Sequence, residues 1–112
     1  GTHNHAYIAQ GGHSNCGLEL ATSGSGTTPI VRLLLNSSGH LLPAANDTYD
    51  LGSSSKRFRD IYTGDLNLSN EGSSNNIDGT WGSYTIQEGA EDLFLINKRS
   101  GKKYKFNLTE VA

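Results

Sequence analysis

The chain predicts an all-β fold of short antiparallel strands with a C-terminal β-hairpin and at most one short helix. Apolar residues recur with a period near two along most of its 112 residues, the spacing of a strand with one covered face. Clusters of Gly, Ser and Asn interrupt that pattern roughly every eight to twelve positions, as in all-β domains. Apolar residues make up only 34% of the sequence, Met is absent and Gly numbers 14, so a single copy holds little material for a core of its own. Burying the strands then requires identical partners.

Residues 6–9 (AYIA), 18–20 (LEL) and 29–35 (PIVRLLL) read as three strands separated by Gly/Ser/Asn segments. The third is apolar on both faces and needs cover on both sides, which the small side chains of its neighbours do not supply. Asn36-Ser37-Ser38-Gly39 is a turn by composition, as is Ala44-Ala45-Asn46-Asp47 after Pro43; together they bracket a short return strand. Ser53, Ser54 and Ser55 offer N-caps, and Phe58, Ile61 and Tyr62 fall at i, i+3 and i+4. That spacing predicts one or two helical turns over 56–62, a length that is marginal in isolation.

Strand spacing resumes at 65–68 (DLNL). Residues 69–79 (SNEGSSNNIDG) are polar and poor in apolar anchors, which marks them as the expected mobile loop or hinge. Residues 81–87 form the next strand, with Tyr84 and Ile86 on one face and Trp81, Ser83 and Thr85 on the other. Residues 93–97 and 103–108 flank Lys98-Arg99-Ser100-Gly101, whose Gly supplies the positive φ of a tight hairpin. Tyr104, Phe106 and Leu108 then face the core, and Lys103, Lys105 and Asn107 face away.

The length is one domain's worth. Nine basic and 11 acidic residues give a net charge of -2, a field too weak to favour nucleic acid or an anionic membrane. The basic clusters at 56–59 and 98–105 read as solvated faces. Cys16 is the sole cysteine, so no intrachain disulfide forms and a small buried thiol is the default reading. No apolar run approaches the roughly 18 residues that span a bilayer, and the first ten residues lack the charged and apolar regions of a signal peptide. Neither Cys-x-x-Cys, His-Glu-x-x-His nor Gly-x-Ser-x-Gly occurs. Glu88, Glu91 and Asp92 surround a Gly-Ala turn, where carboxylates are solvated rather than paired across a cleft. No enzymatic activity is expected.

Residues 42–62, LPAANDTYDLGSSSKRFRDIY, carry a more specific signal. Through Pro43, Asp47, Tyr49, Asp50, Leu51, Gly52, Ser53, Ser54, Arg57, Phe58, Ile61 and Tyr62 the stretch resembles a segment near the distal ends of tail fibres and tailspikes of tailed bacteriophages. Residues 33–39 (LLLNSSG) and 17–23 look like the strand, turn and Gly-rich strand that precede it, and 78–111 resembles a terminal module of phage and prophage fibres. The similar parts cover about three fifths of the chain.

The resemblance implies an intertwined parallel homotrimer, consistent with the lean composition and the two-sided strand at 30–35. It implies one distal fibre domain: a fibre-type β region at 1–68, a flexible loop at 69–79 and a C-terminal β module at 80–112. The implied role is that of a structural virion protein, made in the host cytoplasm, that recognises a host receptor. Its partners would be two further copies, other fibre segments and a bacterial surface polysaccharide or outer-surface protein. In related fibres the D-L-G-S-S segment often precedes a C-terminal intramolecular chaperone that directs trimerisation and cuts itself off. The sequence holds no room for that domain and ends instead in a β-hairpin and Glu110-Val111-Ala112, so either a mature distal end or a module that trimerises without such a helper is expected. One alternative is a trimerisation and folding clamp without a receptor site. Another is a fragment of a capsule-degrading tailspike, for which no acid/base pair is evident.

Two groups of residues stand out as candidate sites. His3-Asn4-His5 would place both imidazoles on one face of a strand, and in a threefold bundle six nitrogens would surround an axis, an octahedral set suited to an iron-like or nickel-like ion. The triplet is similar to the G-x-H-x-H repeats in the needle tip of long tail fibres of T-even phages, where histidines from three chains bind iron; here it occurs once. The alternative is a pair of exposed histidines and no cofactor. For receptor contact the candidates are Asn75 and Asn76 in the polar loop, with Trp81 and Tyr84 beside it, since loops on a rigid scaffold carry recognition. The same rings would serve as intersubunit packing.

Overall fold

The computed structural model describes residues 6–10, 16–24 and 26–112. These residues form β strands and no helix: β1 (Ala6–Gln10), β2 (Cys16–Thr22), β3 (Ile30–Asn36), β4 (Leu41–Pro43), β5 (Leu66–Ser69), β6 (Ser83–Glu88), β7 (Leu93–Asn97) and β8 (Lys103–Lys105). They pair antiparallel in chain order as two four-stranded sheets, β1-β2-β3-β4 and β5-β6-β7-β8. The chain divides into two compact units, Gly1–Arg57 and Phe58–Ala112, each holding one sheet.

In the first unit Leu18 lies opposite Leu35 and Leu20 opposite Leu33, while β4 places Pro43 against Leu33 and Leu41 against Leu35. Directly opposed residues share a face, so leucines from three strands gather on one side. Glu19, Leu34 and Leu42 share the other. The register shifts between Cys16 and Leu18, where a Cβ on Gly17 would lie 3.2 Å from the Leu35 carbonyl oxygen. The predicted 36–39 turn forms: Asn36 Oδ1 accepts from the backbone N–H groups of Ser38 and His40, and Gly39 takes a φ of 88°. After β4 the chain returns to β3, where Arg32 Nη1 donates to Tyr49 Oη at 2.8 Å and its guanidinium lies 5.4 Å from the ring centroid.

The predicted helix over 56–62 is absent. Its capping bond is nevertheless made: Lys56 N–H donates to Ser53 Oγ at 3.0 Å, and Ser53 N–H donates back to the Lys56 carbonyl at 2.9 Å. The turn does not propagate because its apolar stripe meets nothing. Phe58, Ile61 and Tyr62 are 61%, 71% and 93% exposed, and seven residues without tertiary packing do not offset the cost of nucleation.

In the second unit the register aligns Leu66, Ile86, Leu95 and Tyr104 across all four strands, with Leu68 opposite Tyr84. The other face aligns Asn67, Thr85, Ile96 and Lys103, and the buried Thr85 hydroxyl donates to Asn67 Oδ1 at 2.6 Å. Gly101 closes the last hairpin with the anticipated positive φ, 77°, while Asn97 Oδ1 accepts from the Arg99 and Ser100 N–H groups. β8 stops at Lys105, short of the predicted end at 108, because β7 begins at Leu93 and the last available bond is Phe106 N–H to the Leu93 carbonyl. Leu108, expected on the core face, is left exposed.

Among the described residues Ala21 is the one apolar residue fully shielded from solvent. The leucine faces of both units remain partly open: Leu18, Leu20, Leu41, Leu66 and Leu68 are all exposed. A sheet with one apolar face normally buries it against a second layer.

Candidate functional site

The connection between β5 and β6 is long, polar and tightly hydrogen-bonded. Its base is closed by a reciprocal pair: Gly82 N–H donates to Asn70 Oδ1 at 2.8 Å, and Asn70 N–H donates to the Gly82 carbonyl at 3.3 Å. Gly72 and Gly79 adopt φ of 89° and 73°, a region that a Cβ disfavours. The segment expected to be mobile is thus laced by specific bonds.

Asn75 organises the tip. Its Oδ1 accepts from Ile77 N–H at 2.7 Å and Asp78 N–H at 2.9 Å, and its Nδ2 donates to Asp78 Oδ1 at 2.8 Å and to the Thr80 carbonyl at 3.0 Å. Asn75 N–H also donates to that carbonyl. Asp78 Oδ1 accepts further from Thr80 Oγ1 at 2.8 Å and Thr80 N–H at 3.1 Å. Bonds from the Thr80 hydroxyl, then from the Asn75 amide and the Thr80 N–H, hold the Asp78 carboxyl below its ordinary pKa, since each favours the charged form.

Trp81 lies just before β6 rather than in it. The Arg99 guanidinium, carried in by the β7–β8 hairpin, stacks over its ring at 3.8 Å from the centroid, and Arg99 Nη1 donates to the Trp81 carbonyl at 2.9 Å. The two bonds fix one cation on one aromatic face. Tyr84 Oη accepts from Asn97 Nδ2 at 3.3 Å, and its ring lies so near Gly82 that a Cβ there would meet Cε2 at 2.9 Å.

Between loop and sheet lies a cleft of about 360 Å³, bordered by Leu68, Asn70, Asn75, Asp78, Trp81 and Tyr84 among others. That size is at the small end for ligand sites. Its wall combines an ionised carboxylate, amides and two aromatic rings, a mixture that recognises polar, hydroxyl-bearing groups by hydrogen bonding and ring contact.

Three predicted contact residues, Asn75, Trp81 and Tyr84, meet at this cleft, whereas Asn76 does not line it. Trp81 and Tyr84 were expected on opposite faces of one strand; they border one cleft because the Asn70–Gly82 pairing takes residue 81 out of the alternation. Asp78, Asn70 and Arg99 were not anticipated. Asp78-Gly79 is a turn signal that points to the first, but nothing in the sequence pairs Arg99 with Trp81. His3 and His5 lie outside the described residues, as does the Cys16 side chain. Among the described residues no group of three or more His, Cys, Asp and Glu gathers as a metal site, and no helix is long and apolar enough to cross a membrane.

Comparison with protein families, curated proteins and solved structures returned no match. The fold and the cleft therefore carry the functional reading, together with the resemblance of residues 42–62.

Proposed function

We propose that this chain is a distal module of a phage tail fibre or tailspike, a non-enzymatic homotrimer that contributes to recognition of a bacterial surface receptor. The observation that carries this reading is the combination of well-paired sheets with almost no core: the described residues bury one apolar side chain, Ala21, and leave leucines of both sheets exposed. A chain of that kind is completed by other copies of itself, which are the one surface supplied in stoichiometric amount wherever the chain is made. The D-L-G-S-S segment supports a fibre as the setting. Three copies of a weak site on one assembly gain avidity on a densely decorated cell surface, and the 70–82 loop with its cleft is the best-built place for such a site.

A clamp without a receptor site is favoured by one observation: the polar groups of Asn75 are spent on the loop itself. Labelled native protein applied to a panel of bacterial strains separates the two readings. Attachment predicts saturable binding to some strain, lost when residues 71–79 are replaced by a Gly/Ser linker while the native mass stays at three chains. A native trimer that binds no strain saturably, or whose binding is unchanged by the loop replacement, favours the clamp, and a native monomer contradicts both.

A further inference from the structure

We infer that the cleft beside the 70–82 loop takes the ring of an uncharged sugar, stacked on Trp81 and Tyr84 with its hydroxyls on Asp78 and Asn70. The inference rests on the receptor reading of this cleft and names the class of its ligand. Both rings are held in place before any ligand arrives. Arg99 stacks on the indole at 3.8 Å and bonds the Trp81 carbonyl, while Tyr84 Oη accepts from Asn97 and its ring lies against Gly82, where no Cβ intervenes. A platform fixed in this way spends little binding energy on ordering itself. Trp81 precedes β6 and borders the cleft instead of packing between strands. Arg99 does not border it, so the stacked cation lies outside and the uncovered part of the indole lines the cleft.

Hydrogen-bonding groups stand unspent on the same wall. The bonds to Asp78 from Asn75 Nδ2, Thr80 N–H and Thr80 Oγ1 all fall on Oδ1, which leaves Oδ2 to accept. Asn70 uses its Oδ1 for Gly82 N–H, which leaves its Nδ2 hydrogens to donate. An acceptor and a donor beside aromatic rings fit a pyranose, whose hydroxyls both give and take hydrogen bonds while its C–H face is apolar. Charge narrows the class further. The Asp78 carboxylate repels the carboxylate of an acidic sugar or a phosphate. For an ammonium group the pull of Asp78 is offset at the indole, because Arg99 already occupies a face of that ring and a π-system draws a second cation less. Both arguments favour an uncharged ring. A cleft of about 360 Å³, at the small end for ligand sites, suits the terminal unit of a glycan.

Trp81 is the sole tryptophan, so its emission reads the cleft directly. The native protein is titrated with neutral methyl hexosides, deoxyhexosides and N-acetylhexosaminides, with their amino-sugar and uronic-acid counterparts and with choline; the same compounds then compete for labelled protein on a strain that it binds. The expected result is a saturable change in emission with at least one neutral glycoside, a weaker one with its acidic counterpart, and competition on cells by that same glycoside. Asp78→Asn keeps an Oδ1 acceptor for the loop and replaces only Oδ2, so affinity for the neutral glycoside should fall by about tenfold or more at unchanged native mass. Asn70→Asp, which keeps the Gly82 bond and removes the donor, should weaken it too, and Asn76→Ala should leave it unchanged. Saturation by choline or a uronic acid instead, or no response to any neutral glycoside, overturns the sugar assignment. Strain binding that needs residues 71–79, survives every glycoside and is lost on protease treatment of the cells overturns the assignment and leaves the attachment reading intact. A native protein that binds neither a strain nor a glycoside overturns both.

Discussion

Replacing Asn75 by Ala removes the organising side chain of the 70–82 loop. Four well-formed bonds are lost at once, two accepted from Ile77 and Asp78 N–H and two donated to Asp78 Oδ1 and the Thr80 carbonyl. A net hydrogen bond contributes about 0.5–1.5 kcal/mol, and because these groups are exposed water replaces part of each, so about 1–2 kcal/mol in total is expected. At a urea dependence of about 2 kcal/mol per molar, the midpoint falls by roughly 0.5–1 M. The assay is urea unfolding of Asn75→Ala and Asn76→Ala beside the parent at one fixed protein concentration, which matters for an oligomer. Asn76 takes no part in the network and should behave like the parent. Equal midpoints for all three proteins would refute the claim that Asn75 holds the loop.

The remaining predictions concern the same unit. Asp78 has its pKa lowered from the ordinary 3.8 by the Thr80 and Asn75 bonds, so its contribution is present above that value and is lost as pH falls through the lower folded value; acid titration of Asp78→Asn should show this part of the pH dependence gone. Arg99→Ala should uncover Trp81, shifting its fluorescence to the red and costing about 0.5–1 kcal/mol, and Arg99→Lys should restore little because the planar stack and the bond to the Trp81 carbonyl both depend on the guanidinium. Gly101→Ala, at φ 77°, should destabilise by about 1 kcal/mol in thermal melts and Gly101→Asn by less, since Asn tolerates the left-handed region.

The strands were legible because alternation and turn residues are local signals. Residues 6–9, 18–20, 29–35, 65–68 and 93–97 each fall on an observed strand, and Gly39 and Gly101 take the positive φ their turns required. What the sequence misread depends on partners distant along the chain. The stripe at Phe58, Ile61 and Tyr62 has helical spacing, but a stripe becomes a helix only where a surface receives it, and here none does. Residues 106–108 alternate like a strand yet lie beyond the start of the strand they would pair with. In the cleft, Asn75 and Trp81 were visible as a polar turn residue and a lone indole. Arg99 was not, because its place over Trp81 is set by the β7–β8 hairpin docking 18 residues away.

The open leucine faces make self-association the central claim, and the absolute mass of the native protein by light scattering on a sizing column tests it most directly. The account predicts three times the 12.0 kDa chain mass, unchanged on dilution until the protein unfolds. A stable, folded species of one chain mass would contradict it.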